Sequence, residues 1–211
     1  MQQNNDNIHI YIKYPENYPD EFIETDLSEF KSDKLKIKLE KIDYGPFAAI
    51  EWTIPTVIAA YVLKPYFESF LKEAGKEHYQ LLKKGLKNLT GKGKSMNVRL
   101  LTASESTEKL NKKYNQSLAV AIHLQTVNER EIKLLFDNDL DKSDWDSALD
   151  QLLDFVIKNY ENSPNDRLTE LLSEFEDHNG TIYGKINPKS KYLEFYDSKK
   201  LIIELKNKNY S

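Results

Sequence analysis

The sequence predicts an α+β fold, a largely antiparallel sheet with helices over about 55–89 and 144–177 packed on it. Three observations carry that prediction. Short segments such as Ile8–Tyr14 alternate apolar and polar residues with period two, the signature of half-buried strands. Longer stretches after Tyr66 and after Ser143 repeat apolar residues at helical spacing. The helical segments are grouped along the chain instead of alternating with strands, which points away from a regular α/β repeat.

In the first strand Ile8, Ile10 and Ile12 share one face and His9, Tyr11 and Lys13 the other. Pro15 and Pro19 end it and lead into an acidic loop. Leu35, Ile37 and Leu39 repeat the pattern against Lys36, Lys38 and Glu40, so these two strands are expected to pair. After the Tyr44-Gly45-Pro46 turn comes the most apolar run of the chain, residues 46–63. Pro55 and Pro65 punctuate it, because proline lacks an amide hydrogen and breaks a helix interior. A short helical element is expected before Pro55, a helix from Pro55 to Leu63, and a break near Pro65.

Phe67, Phe70, Leu71, Ala74, His78, Leu81, Leu82, Leu86 and Leu89 then recur at helical spacing, with the helix expected to end at Asn88–Thr90 ahead of Gly91 and Gly93. A strand is expected at Met96–Thr102, a polar helix at Ser106–Tyr114 and a hairpin at Leu118–Val127 with Glu131–Phe136. Ser143 with Asp146 resembles a capping box. The helix behind it carries Trp145, Leu149, Leu152, Leu153, Val156, Ile157 and Tyr160 on one face. A second helix is expected over Asp166–Asp177, then strands at Thr181–Ile186, Lys191–Tyr196 and Leu201–Leu205.

With 211 residues the chain is long enough for one substantial core and short for two, so a single domain over 1–211 is expected, frayed at 1–7 and 207–211. The absence of cysteine excludes disulfides, cysteine-ligated zinc, iron–sulfur clusters and a thiol nucleophile. The polar start Met1-Gln2-Gln3-Asn4-Asn5-Asp6-Asn7 lacks the basic and apolar regions of a signal peptide, and the expected location is cytoplasmic.

Motifs for chemistry are few. Gly91-Lys92-Gly93-Lys94-Ser95 ends like a phosphate loop, but Asn88 stands where the first glycine belongs, and the helix precedes the loop instead of following it. Asp137-Asn138-Asp139-Leu140-Asp141 begins like a calcium loop, but Lys142 and Ala148 occupy the positions of the glycine and the bidentate glutamate. His9, His78, His123 and His178 show no metal-ligand spacing, and His78 falls on the apolar side of its helix. No metal site and no cofactor is expected.

Glu51, beside Trp52, interrupts the apolar run, where burial would raise its pKa. As a membrane span the eighteen residues 46–63 reach about 27 Å, just short of a hydrocarbon core. Their apolar side chains favour insertion by about 2–4 kcal/mol in all, and Glu51 opposes it by up to ~3 kcal/mol. The mean hydropathy of −0.66 agrees with a chain that does not span.

Charge is the strongest functional signal. The net charge is −4, yet residues 72–99 hold eight cations against two acids and residues 137–178 hold thirteen acids against three cations. Such asymmetry is either internal complementarity or a surface for a charged partner. The expectation is a non-catalytic protein-binding or regulatory module that docks through region 45–99. Lys83, Lys84, Lys87, Lys92 and Lys94, with Trp52 and Glu51, are the candidate contacts, and the partner is another protein with an acidic surface. Two alternatives accompany it. One is a membrane-active effector in which run 46–63 and the Lys-rich helix meet an anionic membrane. The other is an enzyme whose site is not visible from sequence, for instance Glu51 with His78. Nucleic acid is the least favoured partner, because the basic segment is lysine alone until Arg99 in an acidic chain.

Overall fold

The computed structural model describes residues 8–16, 18–28, 32–43, 56–96, 115–175 and 180–208. Its strands are β1 (Ile10–Pro15), β2 (Ile37–Ile42), β3 (Ile58–Val62), β4 (Val120–Gln125), β5 (Glu131–Leu134), β6 (Ile182–Ile186) and β7 (Leu193–Tyr196). They form one seven-stranded sheet in the order β2-β1-β3-β4-β5-β6-β7. The helices are α1 (Asp20–Ser28), α2 (Leu71–Ser95), α3 (Lys142–Asn162), α4 (Arg167–Ser173) and α5 (Ser198–Lys208), with a π-helical turn at Tyr66–Phe70 leading into α2. The class is α+β.

The sheet is mixed, a correction to the largely antiparallel arrangement expected. Pairs β1–β2, β3–β4 and β5–β6 are parallel, whereas β1–β3, β4–β5 and β6–β7 are antiparallel. The reason is connection length. Each parallel pair is joined through a helical connection (α1, α2, or α3 with α4), and β4–β5 and β6–β7 are joined by short turns.

Register explains how the core forms. Leu39, Ile12, Ala60, Ile122, Leu134, Gly184 and Phe195 stand side by side across all seven strands. This apolar face packs against α2 and α3, where Leu82, Leu86, Leu89, Trp145, Leu149, Leu152 and Val156 are buried. Near the other face a small cluster of Leu135, Tyr183 and Leu201 seats α5 on the sheet.

Four elements depart from expectation. The segment 58–62 is a central strand and not helix: Ile58, Ala60 and Val62 are fully buried, and pairing on both sides overrides the helical preference of Ala59 and Ala60. The helix expected to end at 88–90 runs to Ser95, because Gly91 and Gly93 lie where it approaches other elements closely. A β-carbon at Gly93 would run into the side chain of Val120, and one at Gly91 would come within 2.8 Å of Lys142 Cε. The acidic loop after Pro19 is α1, with Asp20 and Glu21 in its first turn, where acids suit the helix dipole, and Ile23 buried. The strand expected at Leu201–Leu205 is α5, started by Asp197, whose Oδ1 accepts from Lys200 N at 2.7 Å.

The hairpin β4–β5 and the helix α3 form as expected, while α4 stops at Ser173, short of Asp177. The run 46–55 lies outside the described residues, as do 97–102 of the strand and all of the polar helix expected before β4.

Candidate functional site

The charge asymmetry of the sequence is resolved in part inside the molecule. Lys83 Nζ lies 3.2 Å from Asp150 and 3.4 Å from Asp154, and Lys87 Nζ lies 2.7 Å from Asp150. Tyr79 Oη donates to Asp154 at 2.7 Å. Burial, followed by this carboxylate, pushes the Tyr79 hydroxyl well above its usual range. These contacts zip α2 to α3. Lys94 donates to the Leu140 carbonyl and stands 4.8 Å from the Trp145 ring centre. Of the sequence-predicted contacts, Lys83, Lys87 and Lys94 therefore serve α2–α3 packing. Lys84 is exposed and Lys92 is half-buried on the same helix. Glu51 and Trp52 lie outside the described residues.

Beyond Tyr79 the two helices part and leave a groove of about 680 Å³. Phe67, Leu71, Ile157 and Tyr160 form its apolar lining, with Phe67 and Tyr160 stacked at 4.9 Å. Lys72, Lys76 and Lys158 are exposed on it and have no ion pair among the described residues. Asp154 is already engaged by Tyr79 and Lys83, so Glu161 is the remaining acid of the lining. Gly75 also lines the groove, and it breaks α2 with φ 74° and ψ −172°. A glycine at position 75 inside an otherwise helical pattern was the available sign in the sequence, and helical periodicity reads straight through it.

The face of the sheet away from α2 and α3 carries a different set. Lys38, Tyr11, Tyr61, His123, Lys133, Tyr183 and Tyr196 occupy one row across the seven strands. His123 stacks on Tyr61 at 4.2 Å, and its Nδ1 meets Glu131 Oε1 at 3.0 Å. Burial lowers the His123 pKa, and the Glu131 contact only partly offsets this. Glu131 is itself lowered, chiefly by the hydrogen bond from His123. At neutral pH the pair is thus carboxylate and neutral imidazole, with the proton on Nδ1. Desolvation brings Lys133 down to about 8. Lys185 and Asp137, 4% and 3% exposed, lie 3.3 Å apart. These groups could hold or move a proton, but His123 Nε2 is closed to solvent and has no hydrogen-bond partner among the described residues.

The remaining histidines with described side chains are structural. His78 is buried with Nδ1 3.3 Å from Tyr66 Oη, and His9 Nδ1 accepts from Lys36 N at 3.0 Å. Among the described residues no group of three or more His, Asp or Glu side chains could hold a metal ion, and no helix is long and apolar enough to cross a membrane. No family model, no curated protein and no solved structure matches this chain.

Proposed function

We propose that this chain is a non-catalytic protein-binding module that receives an acidic, partly apolar segment of another protein in the groove between α2 and α3. The observation that carries the reading is the pairing pattern of the lysines. Those facing α3 are neutralised by Asp150 and Asp154, and Lys72, Lys76 and Lys158 stand unpaired around an apolar floor. Desolvated apolar anchors with a charged rim are the usual anatomy of a specific docking site. The docking region thereby moves from Lys83, Lys84 and Lys87 to the start of the same helix.

Fluorescence anisotropy with a labelled model peptide tests this. The peptide carries leucine and phenylalanine on one side and glutamates on its flanks, and a control replaces the glutamates with lysines. The acidic peptide binds and the basic one does not. Combined Lys72→Glu, Lys76→Glu and Lys158→Glu weakens binding by about tenfold or more and flattens its salt dependence. Equal binding of both peptides, or an affinity untouched by the triple reversal, refutes the proposal.

A further inference from the structure

We infer that the groove is shaped for a short amphipathic α-helix of about two turns, and that the backbone break at Gly75 gives it that shape. The inference rests on the docking reading above and names the form of the occupant. Both walls of the groove are helices, whose backbone groups are already paired within themselves. An extended segment laid on them would find no strand edge to pair with, and its amides and carbonyls would be stranded against Phe67, Leu71 and Ile157. A helix brings its own hydrogen bonds and needs only an apolar stripe. The unbroken α3 wall from Asp154 to Glu161 rises about 10 Å, the length of roughly two helical turns. Anchors at i, i+4 and i+7 would span it. Lys72 and Lys76 on one wall and Lys158 on the other favour acids on both flanks of that stripe.

Gly75 is the second strand of the argument. Its φ of 74° with ψ of −172° belongs to a backbone region that is essentially closed to residues with a side chain. Yet a β-carbon there would meet nothing within 4 Å, so packing does not demand a glycine. The residue is required only for the bend. The bend redirects the residues before Gly75, including Phe67, Leu71 and Lys72, all of which line the groove.

The test uses the full chain and three forms of the acidic peptide described above: linear, locked into a helix by a side-chain staple, and interrupted by a central proline. The stapled form is expected to bind about fivefold or more tighter than the linear one, and the proline form about tenfold weaker. Gly75→Ala strains the backbone at φ +74° and is expected to lower the melting temperature, and to weaken the stapled peptide about fivefold or more at temperatures where the variant is folded. A proline form that binds as well as the stapled one overturns the helical occupant while leaving the docking reading standing, and that arm does not depend on how the variant folds. Unchanged affinity in a folded Gly75→Ala overturns the role of the bend. Failure of all three peptides removes the docking reading itself and this inference with it.

Discussion

Gly93 and His123 show how single residues carry this fold. A β-carbon at Gly93 has no room beside Val120, so α2 can approach β4 only with glycine at that position. Gly93→Ala should destabilise the protein by about 1–3 kcal/mol through overpacking, measured by denaturant unfolding. Gly75→Ala meets open space but sits at φ +74°, so any loss there should come from backbone strain and not from overpacking. His123 governs the response to acid. Its folded-state pKa lies below the ordinary 6.5, so as pH falls through that value the unfolded chain takes up a proton that the folded one refuses. Stability should therefore decline below pH 6.5, down to the folded-state pKa of His123. Glu131, lowered from 4.5, adds a further loss as pH falls below that value. Melting temperatures across pH 4–8 check this, and His123→Phe, which can still stack on Tyr61, should reduce the first decline to the part contributed by His9, whose pKa burial also lowers.

At the scale of elements, α2 and α3 form a charged zipper above an apolar seam. Lys83 is 15% exposed and its carboxylate partners are 35% and 55% exposed, so each pair is worth little by itself. Reversing both lysines, Lys83→Glu with Lys87→Glu, places like charges against Asp150 and Asp154. That double change should cost about 1–2 kcal/mol in chemical denaturation. The charge imbalance behind this contact was plain in the sequence: the excess lysines of 72–99 and the excess acids of 137–178 are each other's partners in part. Which lysines remain over was not visible, because pairing depends on how α2 and α3 align. Helices α2, α3 and α4 were also largely visible, but the parallel pairs were not, because α1 reads as an acidic loop and the strand before α2 reads as helix. The strand at 58–62 was hidden because a strand buried on both faces reads as an unbroken apolar run, as a buried helix does. Helix α5 was hidden because Leu201, Ile202 and Ile203 resemble a short strand.

For the whole molecule, the sheet separates two surfaces of different character. One side holds the helices, the apolar core and the groove. The other holds the aromatic and cationic row with His123, Lys133, and the Lys185–Asp137 pair. Six of the seven strands that build this row were readable as strands and β3 was not, and the row's continuity appears only once register aligns them. The central proposal is that contact with a partner is made on the helical side, at the groove. Backbone NMR of the full chain titrated with the acidic peptide tests this most directly, because it reports every amide at once. The account predicts shifts concentrated in residues 67–80 and 154–161, diminishing in the Lys72→Glu, Lys76→Glu, Lys158→Glu protein. Shifts centred on Tyr61, His123 and Lys133, or no shifts at millimolar peptide, would contradict it.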